Sequence, residues 1–149
     1  MSKIDVIIET AKQRGQQMKL GYVGALLPAE AQILRETTGA IIVDVRSKAE
    51  LDFVGRITGS VEIELKTYPG MKPNPDFVSQ LTAVVPLATT VMFICRSGAR
   101  SHEAASAAAA AGYRSAFNVL EGFEGDRDPA GHRNTVGGWR AARLPWSQS

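Results

Sequence analysis

The sequence predicts an α/β fold, with a mostly parallel central sheet flanked by helices. Three observations carry that class. Two runs, Ala40-Ile41-Ile42-Val43-Asp44 and Thr90-Val91-Met92-Phe93-Ile94-Cys95, are continuously apolar, as strands buried on both faces are. Segments with helical character alternate with the strand candidates along the chain, which implies crossover connections. A chain of 149 residues, 44% of them hydrophobic, is long enough for one domain with its own core.

The elements follow in order. Ile4, Ile7, Ile8 and Ala11 recur at helical spacing, with Ser2 or Asp5 available as a cap and Gly15 weakening the end, so residues 2–17 form an amphipathic helix. Residues 1–19 are read as a helical extension and residues 20–149 as the domain proper. Pro28 suits a first helical turn, which predicts a helix from Pro28 to about Glu36, stopped at Thr38-Gly39. The Ala40–Asp44 strand follows, then a helix over Lys48–Val54 and a short strand over Val61–Leu65. Pro69, Gly70, Pro73 and Pro75 make Lys66–Pro75 a loop. Asp76–Val84 is a helix, and Thr90–Cys95 is the strongest strand. His102–Ala111 is mostly alanine, the best helix former, and Gly112 stops it. Ala116–Leu120 is the last strand. Residues 121–137 read as a long polar loop, and Gly137–Ala142 as a short helix before Leu144-Pro145-Trp146.

Composition removes several function classes. Lys+Arg 17 against Asp+Glu 15 leaves a net charge of +2, too small for a nucleic-acid binder driven by bulk charge. No apolar stretch approaches the roughly 20 residues of a membrane span, and the N-terminus has no signal-peptide core. One cysteine and two histidines cannot supply a disulfide framework or a Cys- and His-based metal site, so no metal and no cofactor is expected. A lone thiol fits a reducing, cytoplasmic compartment.

The informative segment is Cys95-Arg96-Ser97-Gly98-Ala99-Arg100-Ser101. It joins the C-terminal end of a buried strand to a helix, the place where open α/β sheets bind ligands. Gly98 lets a tight loop turn its backbone N–H groups inward, beside a helix N-terminus. Such a cup binds anions, and the cysteine's own thiolate is one. Helix N-termini and neighbouring cations lower cysteine pKa values, and Arg96 and Arg100 supply the cations. A single buried cysteine is most often a small hydrophobe, but that explains neither the two arginines nor the position of the loop. The residues therefore predict a nucleophilic sulfur in a cationic cup.

This loop resembles the active-site loop of rhodanese-type sulfurtransferases. The resemblance runs over about residues 20–146. Asp44-Val45-Arg46, Glu50 and Gly55-Arg56-Ile57-Thr58-Gly59-Ser60 are similar to the family's first signature, with Arg56 where histidine is usual and Ser60 where alanine is usual. Asn118-Val119-Leu120-Glu121-Gly122 and Gly138-Trp139-Arg140-Ala141-Ala142-Arg143-Leu144-Pro145 resemble its closing signature, here separated by an inserted polar loop, Phe123–Val136. The resemblance implies a single rhodanese-like domain in which Cys95 takes the outer sulfur of thiosulfate as a persulfide. It implies delivery of that sulfur to cyanide, a thiol or a protein acceptor. The N–H groups of Arg96 through Arg100 are then expected to hold the outer sulfur, and Arg96 and Arg100 the donor's sulfonate, so the substrate-binding set is Arg96, Ser97, Gly98, Ala99, Arg100 and Ser101.

Rival readings stay open. A sulfur carrier relaying persulfide to a partner keeps the same cysteine. Phosphatases and arsenate reductases of the same fold carry five residues between cysteine and arginine, whereas Cys95 and Arg100 have four between them. A non-catalytic anion- or protein-binding module is a further reading. Asp44 and Arg46 are expected to support the site through a polar network that includes Glu50. His102 reads as a surface or capping residue, and Trp139 and Trp146 as packing residues. The loop around Arg127, His132 and Arg133 is expected to be solvated, or else a lid.

Overall fold

The computed structural model describes residues 2–148; Met1 and Ser149, the outer limits of the expected domain division, lie outside the described residues. Helix α1 (Lys3–Gln17) starts at a reciprocal cap. The Ser2 hydroxyl accepts from the Asp5 N–H and the Asp5 carboxylate accepts from the Ser2 N–H. After it come β1 (Gly24–Leu26), α2 (Pro28–Thr38), β2 (Ile41–Asp44), α3 (Lys48–Phe53) and β3 (Val61–Glu62). Strands β4 (Lys66–Thr67) and β5 (Lys72–Pro73), helix α4 (Phe77–Val84), β6 (Val91–Ile94), α5 (Ala99–Ala110) and β7 (Ala116–Val119) complete the chain.

Five strands form one sheet in the order β1-β7-β6-β2-β3, every pairing parallel. Alternation along β6 divides the core. Val91, Phe93 and Cys95 face one side with Phe77 and Leu81 of α4 and Ala104, Ala105 and Ala108 of α5. Met92 and Ile94 face the other with Ile7 and Ala11 of α1, Ala31 and Leu34 of α2, Phe123 and Trp139. The small residues of α5 let it lie close to the sheet, which holds its N-terminus beside the end of β6.

Three expectations change, and one strand is added. Strand β1 carries no pattern of its own; its residue Gly24 is required because a Cβ there would overlap the Ala11 carbonyl where α1 crosses. Lys66–Pro75 is not a plain loop, since Lys66 and Thr67 pair antiparallel with Pro73 and Lys72. Helix α5 begins at Ala99, not His102, because Gly98 takes φ +118° and starts the helix inside the motif. Gly137–Ala142 is no helix. Gly138 has φ +102° and Arg143 φ +60°, and the segment is pinned instead to the core by Trp139 N–H to Gly122 O at 2.8 Å and Arg140 N–H to Phe123 O at 3.1 Å. Two glycines at its start also oppose helix nucleation.

Candidate active site

Cys95 follows the last residue of β6 and is 1% exposed. Its Sγ is not embedded in hydrocarbon alone. The Gly98 N–H donates to it at 3.1 Å, and the Ser101 hydroxyl lies 3.3 Å away. The loop therefore closes over the sulfur from the helix side. Ser97 and Gly98 are half-buried, Ser101 is buried, and Arg96 and Ala99 are exposed.

The loop rests on the turn after β7. Phe123 N–H donates to the Cys95 carbonyl at 2.8 Å, and the N–H groups of Glu124 and Gly125 donate to the Arg96 carbonyl at 3.0 and 3.2 Å. Gly122 makes that approach possible: with φ +69°, a Cβ would stand 2.5 Å from the Arg96 carbonyl carbon and oxygen.

Asp44 and Arg46 form a fully buried pair at the end of β2, 2.7 Å between Nη2 and Oδ2. The same carboxylate accepts the Arg46 N–H at 3.1 Å, and Nη2 also reaches the Gly55 carbonyl at 2.9 Å. The guanidinium lies over the Phe123 ring, 4.1 Å from its centroid. The pair thus braces the strand end beneath the turn that carries Phe123.

Glu50 is not part of that pair. It caps α3 by accepting from the Ser47 N–H and hydroxyl, and it takes both terminal nitrogens of Arg100 at 2.7 and 2.9 Å. Burial alone would raise the Glu50 carboxyl, but the Arg100 fork and the Ser47 donors outweigh it and bring the carboxyl down to about 2. Burial likewise opposes the Arg100 charge, yet Glu50, with Cys95 and Asp44 farther off, raises its pKa above the ordinary value.

A cleft of ≈ 540 Å³ lies over this loop, lined by Arg96 and Arg100 together with Glu50, Tyr68, Glu124 and Arg133. Three arginines face two glutamates there, so the cleft is cationic. A cavity of ≈ 720 Å³ bounded by Lys48, Leu51, Ile63 and Val84 contains none of the loop residues. The inserted segment is not simply solvated. Asp128 ties it, accepting from the N–H groups of Ala130 and His132 and from the Thr135 hydroxyl, and Arg133 donates to the Gly125 carbonyl at 2.6 Å. That brings Arg133 to the cleft wall.

The sequence matches the rhodanese-like domain family over residues 27–127. The chain belongs to that family. A Rickettsia prowazekii relative, the uncharacterized protein RP600, is 32% identical over 109 residues, 72% of this chain and 82% of the relative. The rhodanese-like chain also resembles the crystal structure of Rv0390 from M. tuberculosis, at 41% identity and TM-score 0.78, over 86% of this chain and 99% of that one. Its fold is shared with a polysulfide-sulfur transferase homodimer from Wolinella succinogenes, at 20% identity and TM-score 0.59, over 99% and 91% of the two chains.

Within this rhodanese-like domain, the structure brings Cys95, Arg96, Gly98, Arg100 and Ser101 together and sets Asp44 and Arg46 behind them. The lid alternative named the loop that carries Arg133 but did not single that residue out as a wall of the cleft, and sequence reasoning missed the role of Asn118, whose Oδ1 accepts from Ser101 at 2.6 Å. Arg127, Arg133, Arg140 and Arg143 all follow the last strand, and no local pattern separates Arg133 from the others. Among the described residues no helix is long and apolar enough to cross a membrane, and no group of three His, Cys, Asp or Glu side chains converges on a metal position.

Proposed function

We propose that this protein is a thiosulfate sulfurtransferase in which Cys95 is the nucleophile. The observation that carries the reading is the sulfur's placement: Cys95 lies just past the end of a core strand, its Sγ takes the Gly98 N–H, and its loop supplies Arg96 and Arg100 to the lining of a cationic cleft. In the first half-reaction the Cys95 thiolate attacks the outer sulfur of thiosulfate. A new S–S bond forms, the bond to the sulfonate sulfur breaks, and sulfite leaves with its electron pair. In the second, cyanide, a thiol or a protein acceptor attacks the outer sulfur, and the Cys95 thiolate departs as the leaving group.

The Gly98 amide favours an anionic sulfur at this point. Arg100 is committed to Glu50, so its part is to hold α3 against the loop and to keep a positive charge near Sγ. Arg96 and Arg133 are then the side chains suited to the donor's sulfonate. Ser97, Ala99 and Ser101 shape the cup, and Asp44 and Arg46 support it. The sulfur acceptor reaches the persulfide from the same cleft. A lone thiol that must stay reduced suits a cytoplasmic protein without cofactor.

The test is intact-protein mass spectrometry after incubation with thiosulfate. One added sulfur atom is expected, absent in Cys95→Ser, and discharged by cyanide as thiocyanate. Sulfur transfer to cyanide at full rate by Cys95→Ser would refute the assignment. Uptake from a protein persulfide but not from thiosulfate would favour the carrier reading. Turnover of an aryl phosphate would favour the phosphatase reading, which the occupied Arg100 fork disfavours.

A further inference from the structure

A chain of polar side chains leads from the buried sulfur away from the cleft, and its hydrogen-bond directions are determined by counting donors. The Ser101 hydroxyl has a single proton and three neighbours that could take it: Cys95 Sγ at 3.3 Å, the Gly98 carbonyl at 3.1 Å, and Asn118 Oδ1 at 2.6 Å. The Asn118 amide has one workable orientation. Its nitrogen must face the Gly98 carbonyl, 3.3 Å away, because an oxygen there would meet another acceptor. Tyr22 and His102 line the same surface recess as Asn118. The Tyr22 hydroxyl in turn pairs with His102 Nδ1 at 2.8 Å. With nitrogen toward Gly98, Asn118 Oδ1 faces Ser101 and holds the hydroxyl proton by the shortest of the three contacts.

We propose that Asn118 is a positioning residue that restrains ionisation of Cys95 through Ser101. With its proton on Asn118, Ser101 Oγ offers Sγ only lone pairs, which suit the S–H of the thiol. The Gly98 N–H suits the thiolate. The sulfur therefore has one contact favouring each form. To serve a thiolate, Ser101 must swing its proton to Sγ and give up Asn118. Once Cys95 carries an added outer sulfur, Sγ no longer bears the full charge, and the Ser101–Asn118 bond can re-form. Asn118 thus favours the thiol and the loaded sulfur over the free thiolate.

This inference rests on Cys95 being the reactive sulfur, but its test reads ionisation and not sulfur transfer. The measurement is the pH dependence of iodoacetamide alkylation at Cys95. The charged and titratable groups around the loop, Arg100 on α5, its partner Glu50 on α3, Asp44 at the end of β2, and Arg96, Tyr22 and His102, remain unchanged in the variants. Asn118→Leu should free the Ser101 proton for Sγ and move the alkylation midpoint down by roughly half to one pH unit. Asn118→Ala removes the same acceptor with less bulk against Tyr22, and keeps the test open if the leucine variant does not fold. In a Ser101→Ala background the Asn118 substitution should no longer move the midpoint. An unchanged or raised midpoint in Asn118→Ala, or an equal drop with Ser101 absent, would overturn the proposal. Failure of the wild type to take up sulfur from thiosulfate would refute the proposed activity and leave this result standing.

Discussion

Arg100 grips Glu50 with both terminal nitrogens, joining the first turn of α5 to the start of α3 across 50 residues of sequence. The fork is filled by a carboxylate of the protein itself, and the Arg100 side chain is only 13% exposed. Arg100→Ala therefore acts first on stability, because Glu50 is left partly buried and unpaired. A loss of about 2 kcal/mol is expected, read as a lower urea midpoint. Arg100→Lys should recover part of the charge but not the bidentate grip. If Arg100→Ala unfolds at the wild-type midpoint, the pair has no structural role.

The same pair predicts the acid limb of stability. The Glu50 carboxyl lies at about 2 in the folded protein against an ordinary 4.5. Its folded value is depressed, so its contribution is present above about pH 4.5 and is lost as pH falls toward 2. Solvent screening of this half-buried pair reduces the full contribution to about 1–2 kcal/mol. Glu50→Gln should be less stable than wild type at pH 7, and the gap should close between pH 4.5 and 2. Parallel stability curves for the two proteins across that range would contradict it.

The fold was legible where one element supplied its own signal. Strand β6 reads from its apolar run and α5 from its alanines, and between them they place Cys95 correctly. The relations that complete the site were not legible because they are tertiary. Nothing near Arg100 in sequence points to Glu50, which the first-signature resemblance includes without naming its partner. Strand β1 has three residues, and its Gly24 is explained only by Ala11 of the crossing helix. The Gly137–Ala142 segment has helix-forming residues, yet the Gly122 and Phe123 carbonyls hold it in turns.

Asp44 and Arg46 are both fully buried, so removing one partner strands the other charge away from water. Asp44→Ala should cost about 3–5 kcal/mol. A denaturant midpoint within the error of wild type would show that Arg46 needs no carboxylate beyond the Gly55 carbonyl it already reaches. The Phe123 ring under the guanidinium makes a matching change in near-ultraviolet circular dichroism the companion signal.

Arg133 reaches the cleft on a segment closed by Asp128 and, among the described residues, makes no ion pair. Arg133→Ala should raise the thiosulfate KM by roughly tenfold, the size of one charge-assisted hydrogen bond, with little change in kcat. The urea midpoint should fall only by the worth of its bond to the Gly125 carbonyl, about 1 kcal/mol. A KM equal to that of wild type would assign the sulfonate to Arg96 alone.

Gly122→Ala tests the support beneath the loop without touching the sulfur. Its φ of +69° strains any side chain, and the new methyl would press on the Arg96 carbonyl from 2.5 Å. The backbone cannot yield on either side. Phe123 and Glu124 are tied to the Cys95 and Arg96 carbonyls, and Trp139 is tied to the Gly122 carbonyl. A cost of about 2–3 kcal/mol is expected, with sulfur uptake falling more steeply than stability because the displaced carbonyls belong to the residues that form the cup. Folded protein with a wild-type rate of thiosulfate uptake would mean that the Gly98 amide keeps its place on Sγ without this support.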